Sequence, residues 1–249
     1  MKQINKYICD HFENDKFSIL GHLKNHKFSI YERLHINKDI GNHSYNYHPK
    51  TRDELKELVD QLIKERGNDA NLNDIDTSEI TDMTELFYES SFNGDISNWD
   101  VSNVKDMSYM FDDSKFTVKN GDISNWDVSK VEYMHCMFGN SSFNGDISNW
   151  DVSNVKTMSY MFWRSEFNGD ISKWDVSNVE NMRQMFAKSK FNGDISKWDV
   201  SNVDSMYYMF YWSKFNGDIS NWNVSNVKNM ELMFNGTPLE ANPPKWYKE

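Results

Sequence analysis

The sequence predicts an α/β repeat fold: a right-handed solenoid with short parallel strands and an N-terminal helical cap. Two observations predict it. The spacing of the apolar residues changes within each repeat from a period of two to a period of three and four, as expected for a strand followed by helical turns. A phrase close to FNGDISNWDVSNV also recurs along the chain, beginning at Phe92, Phe143, Phe167, Phe191 and Phe215.

The repeat length is fixed. Successive tryptophans of the phrase are 24 residues apart, except for one interval of 27 that contains a three-residue insertion at 116–122. A degenerate unit at 72–87 aligns with the others at the same offset. Such a period is typical of solenoids, because one unit cannot bury its own apolar face and must stack on its neighbours. The tryptophans, which we expect to be core residues, are Trp99, Trp126, Trp150, Trp174, Trp198 and Trp222.

Each unit divides into two patterns. The spacing Ile96-x-x-Trp99-x-Val101 is that of a leucine-rich repeat, and its period-two part predicts a short strand with Trp99 and Val101 inward. From 104 to 111 the apolar residues recur every three or four positions, which predicts one or two helical turns. Ser and Asn at 102–103 suit an N-cap between them. The Asn-Gly of FNGD predicts a tight turn into the next unit.

Units that read GDISNWDVSNVxxMxxMF resemble the BspA-like leucine-rich repeat proteins of bacteria, whose 24–25-residue repeats also form a domain of unknown function. The resemblance covers roughly 72–234 and rests on six near-identical copies. Tryptophan replaces the usual aliphatic residue of the strand, and Val104 stands where many such repeats have an asparagine. The resemblance implies recognition of another macromolecule and does not identify it.

The chain is expected to comprise an N-terminal region with a helical cap (1–70), the solenoid (71–234) and a C-terminal cap (235–249). Thr51 and Glu54 form a capping box at the start of an amphipathic segment, and Gly67 is suited to end that helix. At the other end, three prolines oppose extension of a strand ladder, while Trp246 and Tyr247 are expected to cover the last unit.

Charge restricts the class of partner. The net charge is −11, and residues 71–249 hold 15 Lys+Arg against 27 Asp+Glu. Nucleic-acid binding needs clustered basic residues, so we expect no direct nucleic-acid contact. The expected partner is another protein, with a basic or a nucleic-acid-binding protein as the type that an acidic surface suits.

The location is predicted to be cytoplasmic, or the cell surface if an export signal has been removed. The first 20 residues lack the apolar run and small-residue cleavage site of a signal peptide, and no segment reaches membrane-spanning length. The two cysteines, Cys9 and Cys136, exclude a disulfide framework. His22 and His26 have a helical zinc-ligand spacing but no third ligand, so we predict no metal site and no cofactor.

Two columns of aspartates repeat in every unit. The first follows glycine, from Asp95 to Asp218, and its members are expected to accept backbone N–H groups as Asx-turns. The second is expected to face solvent as an acidic concave column, with calcium binding left as an alternative. Its members are Asp100, Asp127, Asp151, Asp175 and Asp199.

The positions that differ among units are free to encode specificity. They are the two residues between the paired methionines and those after the closing phenylalanine, and in units four to six they become rich in Tyr, Trp and Arg, the types enriched at interface hot spots. The open alternative is that some of them pack between adjacent turns. The predicted partner-binding residues are Tyr160, Trp163, Arg164, Tyr207, Tyr208, Tyr211 and Trp212.

No catalytic motif is present, and a carboxylate pair that recurs in every unit is expected to serve the scaffold, so the chain is predicted not to be an enzyme. The leading hypothesis is a protein-binding solenoid of bacterial or phage origin. One alternative is a phage-encoded intracellular inhibitor that uses its acidic face against a host nucleic-acid-binding defence protein. A second alternative is a surface adhesin.

Overall fold

The computed structural model describes residues 45–248. The sequence-based interpretations of the first 20 residues, of Cys9 and of the His22/His26 pair lie outside this range. We number the repeats by their first apolar residue, and these residues are Leu72, Ile96, Ile123, Ile147, Ile171, Ile195 and Ile219 for units 1 to 7.

A helix, α1, spans Arg52–Arg66. Thr51 is its N-cap, since its side-chain oxygen accepts the Glu54 amide at 3.2 Å, and the Glu54 carboxylate accepts the Lys50 amide at 2.7 Å. Gly67 ends the helix with φ 90°. A helix therefore lies where the capping box predicted one. Its fully buried face joins the core of the repeats through Leu55, Leu58, Val59 and Leu62.

The predicted α/β class is wrong. Within residues 45–248, α1 is the one α-helix, and pairing between units consists of isolated parallel β-bridges instead of strands. The expected strand at 99–101 is unpaired. Six of the eight bridges lie instead in the second half of the units, such as Asp106 to Tyr133, where helical turns were expected.

Alternating hydrogen bonds explain why the units form neither helix nor strand. In unit 4 the amides of Met161, Trp163 and Ser165 donate to the carbonyl three residues earlier, which closes successive turns. The amides of the residues between these donate to carbonyls of the next unit. A continuous series of i to i−4 hydrogen bonds, as in an α-helix, therefore cannot form. In this ladder Met158, Tyr160, Phe162 and Arg164 donate to the carbonyls of Asn181, Arg183, Met185 and Ala187, at 2.8–3.0 Å.

Left-handed residues make this path possible. Tyr160 and Arg164 have φ of 59° and 54°, and equivalent residues of the other units have similar values. A positive φ is uncommon for residues other than glycine and interrupts a right-handed helix. Three-residue turns alternating with left-handed residues therefore give the apolar period of three and four that was interpreted as helical.

The interior consists of aromatic columns. The six tryptophans predicted to be core residues are 3–5 % exposed, which confirms that interpretation. Phenylalanine rings of neighbouring units stack almost in parallel, as Phe162 and Phe186 do at 5.7 Å and 6°. A second column continues through Phe167 and Phe191, 6.4 Å apart. These side chains tie each unit to the next, so the core is continuous along the stack.

The glycine of FNGD has a steric role. Among glycines of residues 45–248, only Gly67 and Gly236 have positive φ. The predicted tight turn at Asn-Gly is wrong, because 93–94 and the equivalent pairs form no turn, and a turn lies instead at 97–98. At Gly169 a Cβ atom would lie 2.8 Å from the ring of Phe167. The ring folds back over its own glycine, and any side chain there would collide with the core.

The C-terminal segment extends the tryptophan column. Trp246 stacks on Trp222 at 6.3 Å and donates its indole N–H to the carbonyl of Ile219 at 2.9 Å. Tyr247 contacts Phe234 edge-to-face at 5.0 Å. Both aromatic residues that were expected to cover the last unit therefore contact it.

Candidate functional site

The variable positions of units 4 to 6 lie beside the left-handed residues. Tyr160 and Arg164 are themselves left-handed in unit 4, and Tyr208 and Trp212 hold the same positions in unit 6. Because the amides of these residues donate to the next unit, the backbone holds their side chains at fixed positions along the stack. We call the surface that they form the aromatic strip, and its residues are Tyr160, Trp163, Arg164, Arg183, Gln184, Lys188, Tyr207, Tyr208, Tyr211 and Trp212.

The strip begins in unit 4. Tyr160 and Trp163 meet edge-to-face with ring centroids 6.4 Å apart. The guanidinium of Arg164 lies over the Trp163 ring, 4.6 Å from its centroid. Cation–π contacts of this kind hold a planar cation against a ring, and Arg164 is exposed, so a partner can reach both.

Unit 5 joins the two aromatic groups. The Arg183 guanidinium lies between two rings, 5.5 Å from Tyr160 and 5.1 Å from Tyr207. The side-chain amide of Gln184 donates to the Tyr160 hydroxyl at 2.9 Å. Arg183 and Gln184 lie between the paired methionines of unit 5, at positions that vary among units, but are not among the predicted partner-binding residues.

Unit 6 supplies a compact aromatic group. Tyr207, Tyr208 and Tyr211 meet in edge-to-face contacts at 4.1 and 4.6 Å, and Trp212 follows Tyr211 at 6.4 Å. Lys188 lies 6.0 Å over the Tyr211 ring. Trp212 is 63 % exposed, whereas the three tyrosines are half-buried. A hydrogen bond with Tyr207 raises the pKa of the Tyr208 phenol.

The strip extends further toward the N-terminus than predicted. His135 lies 5.5 Å from Tyr160 and 4.8 Å from Tyr109, so rings continue into units 3 and 2. Burial lowers the pKa of His135, and its Nδ1 lies 2.5 Å from the hydroxyl oxygen of Ser159. The sequence could have identified His135 and Tyr109, because each lies between paired methionines, where the units vary.

The acidic column is made of Asx-turns. Each aspartate accepts the amide of the serine two residues later, at 3.0–3.1 Å, while its side chain stays exposed. Hydrogen bonds from Ser129 and Ser201 lower the pKa of Asp127 and Asp199. The glycine-linked column behaves alike: Asp146 accepts the Ser148 amide at 2.9 Å, and that bond lowers its pKa.

Among the remaining titratable groups of residues 45–248, one cysteine and one aspartate lie side by side. Cys136 is buried against Asp112, and burial raises the pKa of both side chains, so the thiol is unreactive. No group of three potential metal ligands occurs within residues 45–248. Over the same range no helix has the length and apolar character needed to cross a membrane.

Comparison with known protein families identifies the family of this chain. The family model described as Mycoplasma protein of unknown function, DUF285, matches residues 54–168 and 139–246. The chain belongs to this family. The two overlapping matches run from α1 through Trp246, so DUF285 includes the helix, every repeat unit and the C-terminal tryptophan. A search of curated proteins found no match, and neither did a search of solved structures.

Proposed function

We propose that this DUF285 chain is a non-enzymatic protein-binding repeat protein of the BspA-like kind, from a bacterium or phage, and that the aromatic strip is its recognition surface. One observation carries the proposal: the seven residues predicted from sequence variability are joined by unbroken ring and cation–π contacts across units 4 to 6.

The composition of the strip supports binding to a protein. Tyr, Trp and Arg dominate interface hot spots because they combine a large apolar area with a polar group. Their rings are held by contacts within the strip, so little side-chain freedom remains to be lost on binding. A bound segment can then bury Trp212 and the rings beside it.

The charge of the strip indicates what the partner presents. Arg164, Arg183 and Lys188 are exposed cations in a region whose net charge is strongly negative. We therefore expect partner carboxylates or carbonyl oxygens opposite these three side chains, since a guanidinium binds carboxylate in a fixed geometry.

The experiment is affinity capture from an extract of the source organism with three baits. The first is the unaltered chain, and the second carries Trp163→Ala with Trp212→Ala. The third carries Tyr133→Ala, which removes a 40 % exposed ring outside the strip. The partner should be retained by the first and third baits and lost, by about tenfold or more, from the second. Equal retention by a folded double variant would contradict the proposal.

A second candidate function rests on the acidic column. Its carboxylates stay exposed on successive units, and each accepts a Ser amide. Hydrogen bonds from Ser129 and Ser201 lower the pKa of Asp127 and Asp199, which favours the ionised form of these two. Such a row of charge suits an inhibitor that occupies the groove of a nucleic-acid-binding protein. Capture of a nucleic-acid-binding protein by the unaltered chain, and its loss when Asp127, Asp151 and Asp175 become Asn, would favour this function.

A further inference from the structure

The last repeat ends in an unfilled hydrogen-bond ladder. In unit 6 the amides of Met206, Tyr208 and Phe210 donate to carbonyls of unit 7 at 2.8–3.1 Å. The equivalent amides of unit 7 belong to Met230, Leu232 and Phe234, and none has an acceptor within residues 45–248.

Apolar side chains are uncovered at the same end. Val200, Val203 and Met206 of unit 6 are at most 1 % exposed, because unit 7 covers them. Their counterparts in unit 7 are only partly buried, since no further unit lies over them. The counterparts are Val224, Val227 and Met230.

The two ends of the stack differ in how their backbone groups and apolar side chains are covered. At the N-terminal end, α1 lies against unit 1, and the Arg52 side chain donates to the Thr84 carbonyl at 2.8 Å. At the C-terminal end, Glu240 accepts the fourth ladder amide, that of Gly236, at 3.1 Å. Trp246 continues the tryptophan column and also contacts the Phe234 ring at 6.1 Å. The helix α1 therefore covers part of the N-terminal end, and the Glu240 carboxylate satisfies one ladder amide at the C-terminal end. The amides of Met230, Leu232 and Phe234 are left without an acceptor among residues 45–248.

We propose that this open end is a second interaction surface, which binds a segment of a partner protein that takes up the turned backbone of a repeat unit and so continues the ladder. Because every bridge between units is parallel, the segment runs parallel to 229–235. It presents carbonyl oxygens at alternate residues to Met230, Leu232 and Phe234. Before those residues it places aliphatic side chains against Val224 and Val227, since each unit has valines at the two equivalent positions, such as Val200 and Val203 in unit 6.

The geometry favours a segment of a partner protein, rather than a second copy of this chain, as the occupant of the open end. A second copy would have to offer the carbonyls of its own unit 1, where Arg52 already binds Thr84 and α1 covers the end. Two C-terminal ends facing each other would place donors against donors, because the ladder amides of unit 7 all donate in one direction. A partner segment with the backbone of a repeat unit and free carbonyls meets neither obstacle.

The chain itself supplies a probe of the right chemistry. A synthetic peptide of residues 175–190, DVSNVENMRQMFAKSK, carries the carbonyls of Asn181, Arg183, Met185 and Ala187 that accept the unit 4 amides. The control peptide has Met182→Lys and Met185→Lys, which replace two of its apolar side chains with charged ones and keep the length.

The experiment follows amide hydrogen exchange and chemical shifts by NMR on the full chain. Without peptide, the Met230 and Leu232 amides should exchange at least about 100-fold faster than those of Met206 and Tyr208. The peptide should bind with a dissociation constant below about 1 mM and slow the exchange of the first pair by about tenfold or more. The control peptide should not bind.

Two protein variants locate the binding. Val227→Lys should weaken peptide binding by about tenfold or more, whereas Val118→Lys, at a valine 38 % exposed and in unit 2, should leave it unchanged. Absence of binding at 1 mM, or equal binding by Val227→Lys, would overturn the proposal. Protection of Met230 without peptide, together with a dimeric mass, would overturn it in favour of a second copy. The Trp163/Trp212 double variant should bind the peptide normally, so this result is independent of the aromatic strip.

Discussion

The indole N–H of Trp174 donates to the carbonyl oxygen of Ile147, 3.0 Å away and 27 residues earlier in the chain. The same bond links neighbouring units at Trp99, Trp150, Trp198, Trp222 and Trp246. Each indole thus both fills the core and satisfies a buried carbonyl of the preceding unit. Trp126 differs, because its buried Nε1 has no partner among the described residues. The three-residue insertion at 116–122 separates it from the equivalent carbonyl.

This contrast predicts unequal effects of one substitution. Trp174→Phe and Trp126→Phe remove the same ring volume, but only the first removes a hydrogen bond between units. The Ile147 carbonyl then keeps only the Trp150 amide as a donor, at 3.2 Å, whereas Trp126→Phe removes a buried N–H that has no partner among the described residues. We expect Trp174→Phe to lower the free energy of unfolding by about 1–2 kcal/mol more than Trp126→Phe. Trp174→Ala should lower it by about 3–5 kcal/mol. Urea unfolding followed by circular dichroism measures all three, and equal losses for the two Phe variants would contradict the role of the bond.

The left-handed residues give a second prediction. Lys188 is exposed with φ 58°, a conformation that glycine adopts freely and a β-branched residue resists. Lys188→Gly and Lys188→Val both lose the contact with Tyr211, so their difference reports the backbone. Lys188→Val should be less stable than Lys188→Gly by about 1–2 kcal/mol.

Lys190 provides the matched control for Lys188. It is exposed, pairs with Glu166 and has no positive φ. The Gly variant at Lys190 should be no more stable than the Val variant. The same order at both sites in thermal unfolding would show that the left-handed conformation stores no strain.

Repetition and burial could be predicted from the sequence, whereas the backbone path could not. The period, the inward tryptophans and the C-terminal Trp246 follow from spacing and apolarity alone. A helix was predicted for 104–111 because a period of three or four is shared by helices and by successive three-residue turns. The residues that distinguish the two, such as Tyr109 at φ 58°, carry no sequence mark of a left-handed conformation.

The aromatic strip was predictable in part for a related reason. Variation among units identified Trp163 and Tyr208, since the repeat provides its own internal comparison. It could not show that Arg183 bridges two rings, because that contact depends on which side chains of neighbouring units become adjacent. His135 was overlooked although it holds the same variable position as Arg183.

A third prediction concerns the stability of the fold at low pH. The amides of Ser148, Ser172 and Ser196 lower the pKa of Asp146, Asp170 and Asp194. A carboxyl with a folded-state pKa below its unfolded value stabilises the fold above the unfolded value. That stabilisation is lost as pH falls through the folded value. The melting temperature should therefore decrease below about pH 5.

Asparagine tests the same three positions without removing the acceptor. Asn223 occupies an aspartate position and accepts the Ser225 amide at 3.2 Å, so Asn preserves the turn. The triple Asp-to-Asn variant should fold and show a shallower fall in melting temperature with acid. Asp204→Asn, where the carboxylate pairs with Lys228 instead of an amide, should follow the unaltered chain. An unchanged slope in the triple variant would contradict the assignment.

A fourth prediction concerns α1 as the cover of unit 1. Leu58 is fully buried, so Leu58→Ala should lower the free energy of unfolding by about 2–5 kcal/mol, while Glu57→Ala, at an exposed neighbour, should change it by less than about 0.5. Amide exchange in Leu58→Ala should accelerate in unit 1, at Leu86, before it does in unit 6. Exchange that accelerates only within Arg52–Arg66 would show that α1 unfolds independently of the repeats.

The last prediction distinguishes the aromatic strip from the acidic column as the recognition surface, and it is tested with an identified partner. Changing Asp127, Asp151 and Asp175 to Asn keeps each Asx-turn and removes only charge, so it should slow association and flatten its dependence on salt, because long-range charge acts on encounter. Trp212→Ala removes an exposed anchor and should raise the dissociation rate by about tenfold with the salt dependence unchanged. The strip varies along the stack and can encode one partner, whereas the column repeats and can encode only charge. We therefore expect the larger loss of affinity from Trp212→Ala in surface plasmon resonance, and the opposite order would assign recognition to the acidic column.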